Sequence, residues 1–151
     1  MKRTVGFTAS LLALLLLAFS ISANAETVTA SLYLSPANEN PPIAGLNATG
    51  AFVVTIVVNR DANGAVTGGT ASFLGTVAFP GSVTITGLHI HEAGITANGG
   101  IVVESGINSA NTVTFANGVG LIPTPAVPIT NTAALLRLLK NPAGFVAVHG
   151  G

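Results

Sequence analysis

The sequence predicts an all-β domain, an antiparallel β-sandwich with Greek-key connections and one short helix near the C-terminus, with a Greek-key barrel as the nearest alternative. Three observations carry this expectation. Valine and threonine recur in short runs, turn signals built on 18 glycines and 8 prolines separate those runs, and a single stretch near the C-terminus has helical character.

Taken in order, Thr27–Leu34 reads as the first strand. Ser35-Pro36-Ala37-Asn38-Glu39-Asn40-Pro41-Pro42 cannot continue it, because each proline removes a ladder donor and restricts the residue before it. Ala51–Asn59 is the strongest strand, rich in β-branched residues that suit a pleated surface. Asn63-Gly64 supplies a hairpin signal, and Val66–Val77 is the return strand, whose glycines read as bulges. Val83–His91 follows, with a break at Gly87, and a Gly-rich loop (residues 94–100) leads into Ile101–Glu104. Thr112–Val119 reads as one further strand, and Pro123, Pro125 and Pro128 as a long irregular connection. Ala133–Lys140 contains good helix formers, with Asn131 or Thr132 as N-cap and Asn141-Pro142 as the stop. Arg137 and Lys140 sit toward the helix C-terminus, where its dipole favours cations. Phe145–His149 is the final strand.

The N-terminus has the three parts of a secretory signal. Lys2 and Arg3 give the positive segment, Leu11–Phe19 the apolar core, and Ala23-Asn24-Ala25 the small residues that a signal peptidase reads. Residues 1–25 are therefore expected to be removed, leaving one domain over 26–151 in the periplasm or the medium. No second apolar run reaches the roughly 20 residues of a bilayer span.

Cleavage leaves three basic residues (Arg60, Arg137, Lys140) against five acidic ones, a formal charge of −2. Three scattered cations cannot neutralise a run of phosphates, so nucleic-acid binding is excluded. The absence of cysteine excludes disulfides, a thiol nucleophile and thiolate metal ligands.

Few residues offer chemistry. His89 and His91 are two apart in a predicted strand, so both imidazoles leave one face while Leu88 and Ile90 take the other. Two such imidazoles can share a metal ion at about 2.0–2.1 Å, and His149, the one other histidine, would complete a three-nitrogen site if its strand were adjacent. Glu92 and Glu39 are candidate oxygen ligands or partners of the ligands. The plainer reading is that these histidines are solvated or hydrogen-bonded strand residues. No Gly-x-Ser-x-Gly elbow is present. The sole aspartate, Asp61, lies in the Asn-Gly turn and reads as a turn former. Residues 94–100 lack the lysine and following helix of a phosphate loop, and nothing places Glu39, Glu92 and Glu104 together as paired carboxylates. Asn47-Ala48-Thr49 matches a glycosylation pattern by chance.

Three ordered segments carry a family resemblance. Leu34–Pro42, with Asn38, Glu39, Pro41 and Pro42, resembles the Asn-Glu-x-Pro-Pro opening of CHRD (chordin-type) domains, and Ala48-Thr49-Gly50 resembles the Thr-Gly strand that follows. Gly87–Gly94, including Glu92, and Asn98–Val103, including Gly99, resemble the family's His-x-His and Asn-Gly-x-Val-Val segments. Leu138–His149 resembles its helix end, Asn141-Pro142 turn and Val-His strand. The resemblance implies an immunoglobulin- or superoxide-dismutase-like β-sandwich of exported proteins with no established catalysis. In animal chordin such domains belong to a growth-factor antagonist. The implied role is a binding or structural module with a protein or glycan partner. Against the family pattern, Gly150 stands where a threonine is usual, and the sequence stops at Gly151 ahead of the family's last strand and late arginine, as expected of a truncated fragment.

His89–Gly94 is also similar to the His-x-His-Glu-x-Gly strand of copper–zinc superoxide dismutases. That chemistry needs more histidines, a zinc-binding aspartate and a disulfide. What this second resemblance implies is therefore limited to a copper or zinc site of His89, His91 and His149.

Overall fold

The computed structural model describes residues 24–39, 41–92, 99–142 and 146–148. It is built mainly of antiparallel strands with one short helix near the C-terminus. Strands β1 (Asn24–Leu34), β2 (Thr49–Arg60) and β3 (Val66–Ala78) form a long meander, and β8 (Val119–Pro123) and β9 (Val127–Ile129) both pair with β3. A second sheet runs β10 (Val146–Val148), β5 (His89–His91), β6 (Ile101–Glu104), and β4 (Val83–Ile85) pairs with β7 (Val113–Phe115). Helix α1 spans Thr132–Lys140.

Burial alternates with the two-residue period of a strand. On β2, Phe52, Val54, Ile56 and Val58 are buried while Ala51, Val53, Thr55 and Val57 are not. The inward row joins Ala71, Phe73 and Val77 of β3, Leu88 and Ile90 around β5, Val103 of β6, and Leu135 and Leu138 of α1 in one apolar cluster. One face of the large sheet is thus covered by the smaller sheets and the helix. Asn131 caps that helix, its Oδ1 accepting from the Ala134 N–H at 3.0 Å.

The hairpin between β2 and β3 forms where Asn-Gly predicts it, by a longer route than a two-residue turn. Asp61 Oδ1 accepts from the Asn63 and Ala65 N–H groups at 2.9 Å each, and Gly64 takes φ +81°. Asp61 is therefore a turn former, as its position predicts.

Three expectations need correction. Thr112–Val119 is not one strand: Gly118, at φ +73°, closes a turn that passes the chain from β7 to β8. The proline-rich connection is largely strand. β8 and β9 lie end to end along β3, joined by Thr124, whose Oγ1 accepts from the Phe73 N–H and whose N–H donates to the Phe73 carbonyl, both at 2.8 Å. Pro128 is tolerated because β9 pairs on one side only. The break at Gly87 separates two strands of different sheets, β4 and β5, rather than kinking one.

Candidate functional site

β5 is the central strand of its sheet, between β6 and β10. Leu88 and Ile90 are buried in the core, so the alternation directs His89 and His91 together to the opposite face, where both are half-buried. Their ring centroids lie 4.8 Å apart, inclined at 68°. His91 Nδ1 lies 2.5 Å from the Gly99 carbonyl oxygen. A carbonyl only accepts, so this contact puts the proton on Nδ1 and the lone pair of the neutral ring on Nε2. Gly99, a residue of the family-like segment, thereby orients His91. In register, His89 faces Glu104, and a bulge between Ile90 and His91 brings Ile101 rather than Val102 opposite His91.

Glu92 extends this strand, and its backbone N–H donates to the Gly100 carbonyl at 3.1 Å. Its carboxylate takes both arms of the Arg137 guanidinium, from Nε to Oε1 and from Nη2 to Oε2, the latter at 2.6 Å. This fork-on-fork pair ties the end of β5 to α1. The Arg137 hydrogen bond, set against partial desolvation and helped by the opposite charge, holds the Glu92 carboxyl below the ordinary carboxylate range; the same contacts raise Arg137. A carboxyl whose pKa is depressed by folding stabilises the fold above its unfolded pKa, and that contribution is lost as pH falls through the folded value. The melting-temperature gap between wild type and Arg137→Ala is therefore expected to be open at neutral pH and to close under acid. A gap that stays constant down to pH 3 would contradict the pairing. The pair is largely exposed, so the effect is small.

The remaining predicted residues fall elsewhere. Asn38 and Glu39 belong to a compact turn after β1: the Ser35 carbonyl accepts from the Asn38 N–H at 2.9 Å, and Pro36 is buried beneath with its carbonyl accepting from the Ile43 N–H at 2.9 Å. Pro41 and Pro42 are exposed on the same connection. Asn141 ends α1, its N–H donating to the Arg137 carbonyl at 2.9 Å, and exposed Pro142 follows. Asn98 and His149 lie outside the described residues. The nearest described part of the predicted third strand is β10, where Val148 pairs with His89 and Val146 with His91.

Among the described residues, no three of His, Asp and Glu are grouped closely enough to hold a metal ion. The structure thus brings His89 and His91 together and leaves Glu39 and Glu104 outside any such group. Sequence reasoning missed Arg137 as a site residue. It reads only as a cation suited to a helix C-terminus, because its partner lies 45 positions away.

No helix among the described residues is long and apolar enough to cross a membrane. Neither the curated proteins nor the solved structures contain a match to this chain. A family model described as CHRD domain matches residues 30–150. That span takes in the Asn-Glu-x-Pro-Pro turn, the His-x-His strand and the Asn-Pro helix end, and the chain belongs to the CHRD domain family.

Proposed function

We propose that this chain, exported by residues 1–25, is a secreted or periplasmic binding or structural module rather than an enzyme, with a protein or a glycan as partner. The family match over residues 30–150 carries the reading. The locked Glu92–Arg137 pair supports it, since a carboxylate held by a guanidinium is a poor proton acceptor. Cleavage after Ala25 would start the mature chain at Glu26, whose Oε2 accepts from Arg60 Nη2 at 2.7 Å and so pins the new terminus to β2. The purified exported chain should begin at Glu26 by mass spectrometry and bind saturably to members of a glycan array or an extracellular protein panel. A robust turnover abolished by His89→Ala or Glu39→Ala would overturn the reading.

The histidine pair favours a second reading, a copper- or zinc-binding protein with a redox or metal-carrier role. The supporting observation is the 4.8 Å spacing of the two rings, with Gly99 presenting Nε2 of His91 as the ligating nitrogen. His149 is the proposed third ligand. Isothermal titration with copper(II) and with zinc should give one site per chain, lost in the His89→Ala/His91→Ala double variant. Affinity should weaken as acid protonates the imidazoles. Undiminished binding by the double variant would rule out this site.

A further inference from the structure

The covered face of the large sheet has an open counterpart. Tyr33 is 78% exposed and Leu74 54%, and Val53, Val119 and Leu121 also stand out of the surface. Register gathers these residues from four strands: Val53 faces Leu74 across β2–β3, Tyr33 faces Ala51, and Leu121 faces Thr76. A shallow hollow of about 150 Å³ lies between Tyr33, Val53 and Leu74. Every other outward position along the paired parts of β1, β2, β3 and β8, from Thr27, Asn59 and Thr70 onward, is Thr, Ser, Ala, Val, Asn or Pro. Among the described residues, this face carries no charge.

We infer that this face pairs with the same face of a second copy of the chain, forming a two-fold dimer of sheet against sheet. Two features select a copy over another partner. First, a charged surface docked here would bury charges that nothing on this face can pair, whereas the face meets itself at no such cost. An interface of this kind is self-complementary by symmetry, and sheets of this twist stack about 10 Å apart at roughly 30°. Second, the area suffices. The outward stretches of β1 (Thr27–Leu34), β2 (Thr49–Asn59), β3 (Thr70–Ala78) and β8 (Val119–Pro123), with strands about 4.8 Å apart and about 3.4 Å per residue, cover roughly 540 Å². Both copies together bury roughly 1,100 Å², just above the ~1,000 Å² that a specific interface needs. Single exposed apolar residues are ordinary, but Tyr33, Val53, Leu74, Val119 and Leu121 gathered from neighbouring strands on one face mark an interaction site.

Tyr33 is the sole tyrosine in a chain without tryptophan, so its fluorescence reports on this face alone. Sedimentation velocity of the mature chain should show dimers at concentrations well below ~1 mM, the range of a weak but specific complex. Acrylamide quenching of Tyr33 should fall in step with dimer formation. Leu74→Lys and, independently, Thr76→Lys put on each facing surface a charge that nothing on the face can pair. Each should weaken association at least tenfold while far-UV circular dichroism is unchanged. The inference is overturned if the wild type stays monomeric up to ~1 mM. It is overturned equally if dimers form with Tyr33 quenching unchanged, or persist undiminished in both lysine variants, results that would point to the edge of β1 or another surface.

Discussion

Phe73→Ala is expected to destabilise the domain by about 3–5 kcal/mol, the range for removing a buried aromatic ring. Phe73 is 1% exposed and sits mid-strand on β3, opposite Val54, which is fully buried. Its ring belongs to the cluster that joins the large sheet to β5, β6 and α1, so the cavity opens where the layers meet. Its backbone N–H and carbonyl are both held by Thr124, which limits how far the strand can collapse into the void. Set against a total stability of roughly 5–15 kcal/mol, such a loss takes a large share of the fold. The melting temperature should fall by about 4 °C for each kcal/mol. A decrease of only a degree or two would show that Phe73 is not at the centre of the core.

The second large effect concerns a backbone rather than a side chain. Gly75→Ala is expected to cost about 1–3 kcal/mol, as overpacking does elsewhere. Gly75 pairs with Phe52 in the β2–β3 ladder, and the Phe52 ring packs close against it. A Cβ added at Gly75 would stand 2.5 Å from two atoms of that ring and closer still to the Ala51 carbonyl oxygen. Neither can yield cheaply: the carbonyl belongs to the sheet ladder, and Phe52 is packed in the core. Gly81→Ala is the internal control, since a Cβ there meets nothing within 4 Å, and its stability should match wild type within about 0.5 kcal/mol. Equal losses at the two positions would contradict this contact as the cause, because the effect of Gly→Ala on the unfolded chain is a small gain in stability.

Gly75 also illustrates where reading the sequence stops. A glycine in a strand signals a bulge or a close approach with equal force. The register shift of β2–β3 lies at Asn59/Arg60, close to Gly68 and Gly69 but away from Gly75, so here close approach is the reason. That choice depends on Phe52, which is distant in sequence and adjacent only once the strands pair. Glu92 and Arg137 make the same point with charge: each is unremarkable locally, and only the docking of α1 beside β5 joins them.

The sequence by itself determined whatever a two-residue or 3.6-residue period can encode. The all-β class, the strands β2, β3, β5 and β6, the Asp61 turn, the Asn131-capped helix and the shared face of His89 and His91 all follow from neighbours within about ten positions. The motifs that place the chain in the CHRD family are equally local. Tertiary structure decided which local signal prevails when two compete. Asn117-Gly118 divides β7 from β8 because those segments serve different sheets, and Pro123 and Pro128 sit in strands because β8 and β9 each pair on one side only. Both faces of β2 are apolar enough to be core: Phe52, Val54, Ile56 and Val58 on one, Ala51, Val53 and Val57 on the other. Which face the helix and smaller sheets cover, and which lies open with Tyr33 and Leu74, is settled by long-range packing that no local pattern records.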